Sequence, residues 1–540
     1  MPSLAPAPYQ EFDDNGNVLA GGAIYFYEDG TTTLKAIYND ADGDVPAANP
    51  LVLDASGRGD VFLASGYYKI VCKDSVGNAI WQLDKIIGSG GDATIVTTVE
   101  NLAELTALDP PDEDGVAVYV GGYNAKSDGG GGMFVWDATN TDPKDYGTIF
   151  IPDFPSGAGR WLRQFVGNVN VKWFDCMPGD GDQTAELIKA YTYANAQGLA
   201  LYFPSAGTYL IDNSIGDIGV VTFDPYAILQ LTTGANGASM SPSIDPGDYT
   251  QHFSVPSNVT WTLNNTVMVR PEWFGATGDG AADDTEAFAA TVNALPDQKG
   301  CEITLNAGVT YAIAGASGYE LVSRTALKFV GNFARIKKIT NAGPVFSLQG
   351  CTHIEFEQLL IDGNSLLATF GILLDQEFSV PCEKVAMRDV YIGACLIGMQ
   401  IGQHASTAND NGAKDSTFYD VQFQNNTQAI ECDAMFNDGL QFVNTQIDSD
   451  TSADDIQAIR GNLEFLNLTV DSAGANKTAG SVFYITDGSV TVLGGHTIFS
   501  GDKRIILMGA QTTTAIETYS GRLKKSTFSR HDISRCWWVQ

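Results

Sequence analysis

The sequence predicts an all-β-dominated chain whose main body is a parallel β-helix, a solenoid in which each turn of backbone stacks on the one before. Three observations predict it. Short strand patterns recur at regular steps after residue 340. Gly, Asn, Asp and Thr are frequent, with 58 glycines. One helix-capped opening is written twice, as WFDCMPGDGDQT from Trp173 and as WFGATGDGAADDT from Trp273. Turn-forming residues at this density favour short strands over long helices.

The recurrence is metric. IEFEQLLID from Ile354, VAMRDVYIG from Val385 and STFYDVQFQ from Ser416 are spaced 31 residues apart. LQFVNTQID from Leu440, LEFLNLTVD from Leu463 and VTVLGGHTI from Val490 follow at steps of 24, 23 and 27. Positions 1, 3, 6 and 8 of each are mainly apolar, and the change from a step of two to a step of three marks a bend between two short strands. A second register runs through FGILLDQ, LIGMQIG, TQAIECD, DIQAIRG, SVFYITD and RIILMGA. Equivalent residues of adjacent coils should lie about 4.8 Å apart, so columns can be read directly. Cys351 should stack on Cys382, where a dry thiol pair is favoured over a disulfide in a reducing compartment. The bend column reads Gln358, Asp389, Asp420, Asn444, Asn467. Asn and Asp tolerate left-handed backbone and can hydrogen-bond in a ladder.

Both copies of the opening have one plan. An aromatic pair precedes a Gly-Asp-Gly turn and then an acidic N-cap candidate, Asp182 in the first copy and Asp283 or Asp284 in the second. A helix follows, TAELIKAYTYANA or TEAFAATVNAL, and then a strand. With Asp283 as cap, Glu286 falls at the N3 position of a capping box. Phe288, Val292 and Leu295 share one helical stripe. A solenoid's first coil exposes an apolar cross-section that needs a lid, so two openings predict two capped starts, the first leading a shorter solenoid.

Residues 10–87 alternate β-rich runs with Asp/Asn/Gly turns, the spacing of a small β-sandwich. DADGD at Asp40–Asp44 reads as a plain turn, because the twelfth position from Asp40 is Leu51, where a calcium loop needs Glu. GSGGDAT is a flexible linker by composition. A short helix, NLAELTAL, leads into a Gly-dense hairpin region. Its Gly129–Gly132 run permits either positive φ or close backbone packing. The expected map is a sandwich over 1–87, a linker over 88–97 and a Gly-rich β module over 98–165. Next come a first helix-capped module over 166–215 and a β connector over 216–270. The parallel β-helix occupies 271–510, and a C-terminal cap or tail occupies 511–540.

A formal charge of −34 repels phosphate backbones and anionic lipid, which argues against nucleic acid as a partner. No apolar stretch approaches the ~20 residues needed to span a bilayer, and the N-terminus does not read as a signal peptide. Eight cysteines without a C-x-x-C pattern suit folding in a reducing cytoplasm. There is no nucleophile elbow, Walker loop or H-E-x-x-H motif. His252, His353, His404, His496 and His531 lack metal-ligand spacing, so neither metal nor cofactor is expected.

That leaves carboxylates. Glycosidases use a pair about 5 Å apart for retention and about 6.5–9.5 Å for inversion. The candidates are Asp389 with Asp420, and Asp448 with Asp471, each pair being column neighbours; a turn ladder explains the first pair better. Arg388 adjoins Asp389, but strand alternation can send it elsewhere. The C-terminal GRLKKSTFSRHDISRCWWVQ is locally basic and contains Trp537 and Trp538. It reads as an end cap over the last coil, with a subunit or partner contact as the alternative.

Three stretches carry a family resemblance. FDDNGNVLAGGAIYFYEDGTTT with NPLVLDASGRGDVFLASGYYKIVCKD resembles the N-terminal module of phage tail-fibre and tailspike proteins. GGYNAKSDGGGGMFVWD with GRWLR resembles a module common in tailspikes. The second opening resembles the start of the pectate-lyase-like parallel β-helix superfamily as found in tailspikes. The resemblance implies a virion component: a homotrimer with right-handed β-helices. Residues 1–87 would fix it to the phage tail, neck or baseplate, and its solenoid would meet a host surface polysaccharide. It leaves three activities open: glycan recognition, depolymerisation by a glycosidase or lyase, and a purely architectural fibre.

Overall fold

A computed structural model describes residues 9–88 and 97–499 apart from short stretches, the longer being 365–369, 403–411, 449–453 and 473–480, together with 3–4, 504–508 and 522–525. The chain divides into two compact units, residues 1–167 with 172–175 and residues 168–171 with 176–540.

The first unit begins with antiparallel sheets. One orders its strands 51–52, 23–28, 66–73 and 79–88; another pairs 62–63 with 3–4 and 37–38. Alternation along Ala23–Glu28 buries Ile24 and Phe26, which pack with Tyr68, Ile70 and Cys72. One five-residue turn is used repeatedly. Asp13, Asp54 and Asp74 each accept from the amide four residues on (Asn17, Arg58, Asn78), with Gly16, Gly57 and Gly77 at positive φ. Asp40 accepts from the Asp44 amide with Gly43 at φ 75°, so DADGD is the same plain turn.

A five-stranded sheet follows, ordered 97–99, 117–120, 132–137, 160–164 and 149–150. The short helix α1 (Leu102–Thr106) is capped by Asn101, whose side chain accepts from the Glu104 amide. The glycine run serves both anticipated purposes. Gly129 has φ 90°, and a Cβ on Gly131 would lie 2.3 Å from the Val120 carbonyl. The carbonyls of Gly130, Gly131 and Gly147 receive the buried Arg163 guanidinium.

In the second unit the strands are parallel. Residues 169–170, 201–203, 217–223, 238–243 and 261–263 stack in one sheet, and 207–211, 227–231 and 253–254 in another. The expected break between a module ending at 215 and a connector over 216–270 is therefore absent. The connector's strands are further coils of the first solenoid, held by Phe203, Phe223, Phe253 and Trp261 with neighbouring ring centroids 4.9–5.4 Å apart. Sequence reasoning missed this because the coils are short and share no step length.

The second solenoid is one sheet system of parallel strands from Met268 to Lys525. Its register matches the columns read from sequence. Glu355, Ala386, Thr417, Gln441, Glu464 and Thr491 pair in succession, which sets Ile354, Val385, Ser416, Leu440, Leu463 and Val490 above one another. The second register pairs Ile372, Met399, Ile430, Ile456, Phe483 and Ile506. One inward column reads Phe329, Phe356, Met387, Phe418, Phe442, Phe465, with adjacent rings 4.7–5.0 Å apart. Free, buried Cys351 and Cys382 sit on adjacent coils. The hydrogen bond to Cys351, together with burial, holds the Cys382 thiol well above its usual value, so it is inert.

The two openings make the same bonds. Helix α2 (Thr184–Gln197) is preceded by Asp182, whose carboxylate accepts from the Thr184 amide and hydroxyl and from the Asp212 amide. Helix α3 (Thr285–Asn293) is preceded by Asp283, which accepts from the Thr285 amide and hydroxyl and from the Ala314 amide. The first copy's cap is corrected by one residue, from Asp182 to Gln183, and of the second copy's two candidates it is Asp284 that holds the cap. Gln183 and Asp284 occupy the N-caps without side-chain capping bonds, and no capping box forms at Asp283. The aspartates tie each helix to the next strand instead. Phe288, Val292 and Leu295 are all buried, Phe288 against Tyr311 and Tyr319.

Candidate functional site

The bend column is a structural ladder. Gln358, Asp389, Asp420, Asn444 and Asn467 all have φ between 53° and 63°. Asn467 Nδ2 donates to Asn444 Oδ1 at 2.9 Å, and Asn444 Nδ2 donates to Asp420 Oδ1 at 3.1 Å. Asp389 and Asp420 are thus neighbours, exposed at a left-handed corner where short polar side chains are favoured. Arg388 points away from Asp389, 3.4 Å from Glu355 and over the Tyr419 ring.

Beyond the bend, two outward columns line one face. The first is Arg335, Leu360, Tyr391, Gln422, Gln446, Thr469. The second is Lys337, Asp362, Gly393, Gln424, Asp448, Asp471. Asp448 and Asp471 are direct register partners, as their spacing predicted.

On this face lies a cavity of ≈ 350 Å³ lined by Arg335, Asp362, Tyr391, Gly393 and Gln424, among others. Its geometry comes from one glycine. A Cβ at Gly393 would lie 2.8 Å from the Tyr391 ring and 2.9 Å from the Gln424 carbonyl, so its absence lets the ring settle beside the strand. The Tyr391 hydroxyl donates to Gln424 Oε1 at 2.7 Å, and Arg335 Nη1 donates to Asp362 Oδ2 at 2.8 Å. Burial, with the Asp362 carboxylate next, holds the Tyr391 phenol above its ordinary range, so it remains a donor at neutral pH. The corner behind is pinned by Asn426, which is buried; it accepts from the Cys395 amide and donates to the Ile392 carbonyl. A flat aromatic edge beside fixed amide and carboxylate groups can hold hydroxyl-rich ligands.

Of the cavity's side chains, none stood out in the sequence, although the signal was there. Asp362, Tyr391, Gly393 and Gln424 occupy positions 7 and 9 of the recurring nine-residue pattern, the outward complement of the apolar positions. Among the described residues no three His, Cys, Asp or Glu side chains are placed to hold a metal. His252 is buried with Nε2 3.0 Å from Asp248. Trp537 and Trp538 lie outside the described residues.

No curated protein sequence matches the chain. Among solved structures, the alignment with a glycan biofilm modifying enzyme of Pantoea stewartii, WceF, spans 94% of this chain and 64% of that one at 11% identity and a TM-score of 0.24. Tailspike protein 2 from an Escherichia coli O157:H7 bacteriophage aligns over 91% of this chain and 60% of its own, at 13% identity and a TM-score of 0.30. The capsular polysaccharide depolymerase gp49 of Acinetobacter baumannii bacteriophage Fri1 aligns over 79% and 76%, at 14% identity and a TM-score of 0.29. The chain therefore spans less than two thirds of the first two. At these values the likenesses carry no argument about chemistry, and the fold rests on the register itself. Residues 98–166 match the family model described as the phage tail protein small four-stranded beta-sheet domain.

Proposed function

We propose that the chain is a phage tailspike or tail fibre: a virion component fixed by residues 1–87, trimeric, whose second solenoid presents the Tyr391–Gln424 face to a host surface glycan. The phage tail domain at 98–166 supports the virion setting. The observation that carries glycan recognition is the cavity held open by Gly393 on a face of stacked amides, carboxylates and a tyrosine. Such a face runs along the solenoid, so an extended chain meets repeated partners about 4.8 Å apart. The test is binding of the purified protein to lipopolysaccharide and capsule from candidate host bacteria. Retention that weakens about tenfold in Tyr391→Ala, roughly the loss of one aromatic contact and its hydrogen bond, is expected. Absence of binding to any host polysaccharide would leave only the architectural fibre.

Cleavage is a second reading with one observation in its favour. Asp448 and Asp471 are adjacent carboxylates on the same face, and their backbones, about 4.8 Å apart, allow the roughly 5 Å carboxyl separation of a retaining glycosidase. Release of reducing ends from a bound polysaccharide, abolished by Asp448→Asn, would establish it. Asp389 and Asp420, at the corner where Asp420 already accepts from Asn444, are the poorer pair.

A further inference from the structure

We infer that the ligand of this face is a sugar chain without negative charge, bearing hydroxyls, acetamido groups or amines, and not a uronate- or phosphate-rich polymer. This rests on the glycan reading above. Across the coils from Leu360 to Asp471 the two outward columns hold Leu360, Tyr391, Gln422, Gln446 and Thr469 beside Asp362, Gly393, Gln424, Asp448 and Asp471. Three of these are carboxylates and none is a cation.

Of the two cations at the near end, Arg335 is already matched. Arg335 is bonded to Asp362, and Lys337 is the register partner of that same carboxylate. Arg388, across the bend, is committed to Glu355 and Tyr419. A polymer with one anionic group per repeat would therefore meet like charge at successive coils, on a chain whose formal charge is −34. Between Leu360 and Asp471 the two columns hold no Arg or Lys, the usual partners of carboxylate and phosphate; Arg522 and Lys524 stand in them only two coils beyond Thr469 and Asp471.

What the face offers instead suits neutral sugars. Gln424 uses its Oε1 to accept from Tyr391, and its amide NH₂ has no protein partner among the described residues. That leaves a fixed donor beside the tyrosine ring at the cavity wall. Gln422 and Gln446 are exposed on adjacent coils and supply both donors and acceptors.

The test uses the full chain on an immobilised panel of bacterial polysaccharides in three groups: neutral, amino-sugar-bearing, and uronate- or phosphate-bearing. Binding is read at low and high NaCl. Binding should fall in the first two groups, and neutral polymers should change less than about twofold with salt, because no anionic ligand charge is being screened. Gln424→Ala should weaken those hits by about tenfold, the loss of one fixed hydrogen-bond donor, with an unchanged melting curve confirming the fold. Asp448→Lys with Asp471→Lys should bring acidic polymers onto the panel. Hits confined to uronate or phosphate polymers, weakening steeply with salt, overturn the inference and leave glycan recognition standing. No hit in any group overturns the glycan reading itself.

Discussion

The solenoid entered at Asn168 and the one entered at Met268 begin with the same bonds and then diverge. In each, an aspartate and a threonine clamp the start of a helix to the next strand: Asp182 and Thr184 in one, Asp283 and Thr285 in the other. The aromatic pairs face backwards in both, onto different neighbours. Trp173 packs on Phe165 and under the Arg163 guanidinium. Phe274 packs on Phe253 and Trp261, and Trp273 donates to the Asp248 carbonyl, closing the first solenoid's last coil. In the second copy the opening motif is thus both a lid for the stack that follows and a seat for the coil before it.

The stacks themselves teach a second lesson. The first solenoid fills its interior with aromatics of unequal size and shape, and it ends after a few coils against the second opening. The second carries one similar side chain per coil in each column, and such a column can be extended because every added turn meets the same surface. A regular interior also fixes regular outward columns, which is what produces a continuous face.

The largest expected effect comes from breaking that interior. Phe442→Ala should cost about 3–5 kcal/mol, the range for a buried aromatic truncated in a tight core. Hydrogen exchange should show lost protection around residues 418–470 and none over 201–263; equal loss in both would mean the solenoids melt as one. Next is the corner. Asn444→Val removes both ladder bonds and puts a β-branched residue at φ 55°, for an expected cost of about 2–3 kcal/mol in denaturant melts. Asn444→Gly, which tolerates that backbone, should recover part of it.

The clamps come third. Asp182→Ala and Asp283→Ala should each cost about 1–2 kcal/mol, as for lost helix-start bonds. Near-equal values are the point, since unequal ones would break the equivalence of the two openings. Burial works against these carboxylates. Hydrogen bonds from Thr184 and the Asp212 amide, and from Thr285 and the Ala314 amide, nevertheless hold both below the usual range. Their contribution is therefore present at neutral pH and fades as pH falls below about 4. Urea melts at pH 7 and pH 3 should show the variant-to-native gap shrinking at the lower pH.

The smallest effect separates the two openings. Glu272 occupies the place held by Lys172 in the first copy, and burial raises its carboxyl despite the hydrogen bond from Tyr311. An acid raised on folding gives its full contribution below about pH 4.3 and loses it as pH rises through the raised value. Glu272→Gln should remove that downward slope, leaving the variant less dependent on pH than the native chain between about pH 4 and 7, read from melting temperatures.

Much of the fold could be read in advance because its signals are local or strictly periodic. The Ile354, Val385 and Ser416 spacing, the Cys351–Cys382 stack and the Asn/Asp corner follow from one arithmetic step applied along the chain. The coils over 217–263 escaped because their steps vary and their strands lack a shared template. The first N-cap was misplaced by one residue, and the second left between Asp283 and Asp284, because an aspartate before a helix has two competing uses. It can cap its own helix, or it can bond an amide some 30 residues away, and only the second strand's position decides between them.

The sequence by itself determined the periodic wrapping, the inward columns and the left-handed corners, since each depends on residue type at a fixed step. Tertiary structure decided the groove. Its shape depends on the missing side chain of Gly393, the fold-back of Tyr391 onto Gln424 and the pairing of Arg335 with Asp362, contacts between residues some 27 to 33 positions apart. A glycine announces freedom but not which ring will fill the space beside it. That is settled only when neighbouring coils are packed against one another.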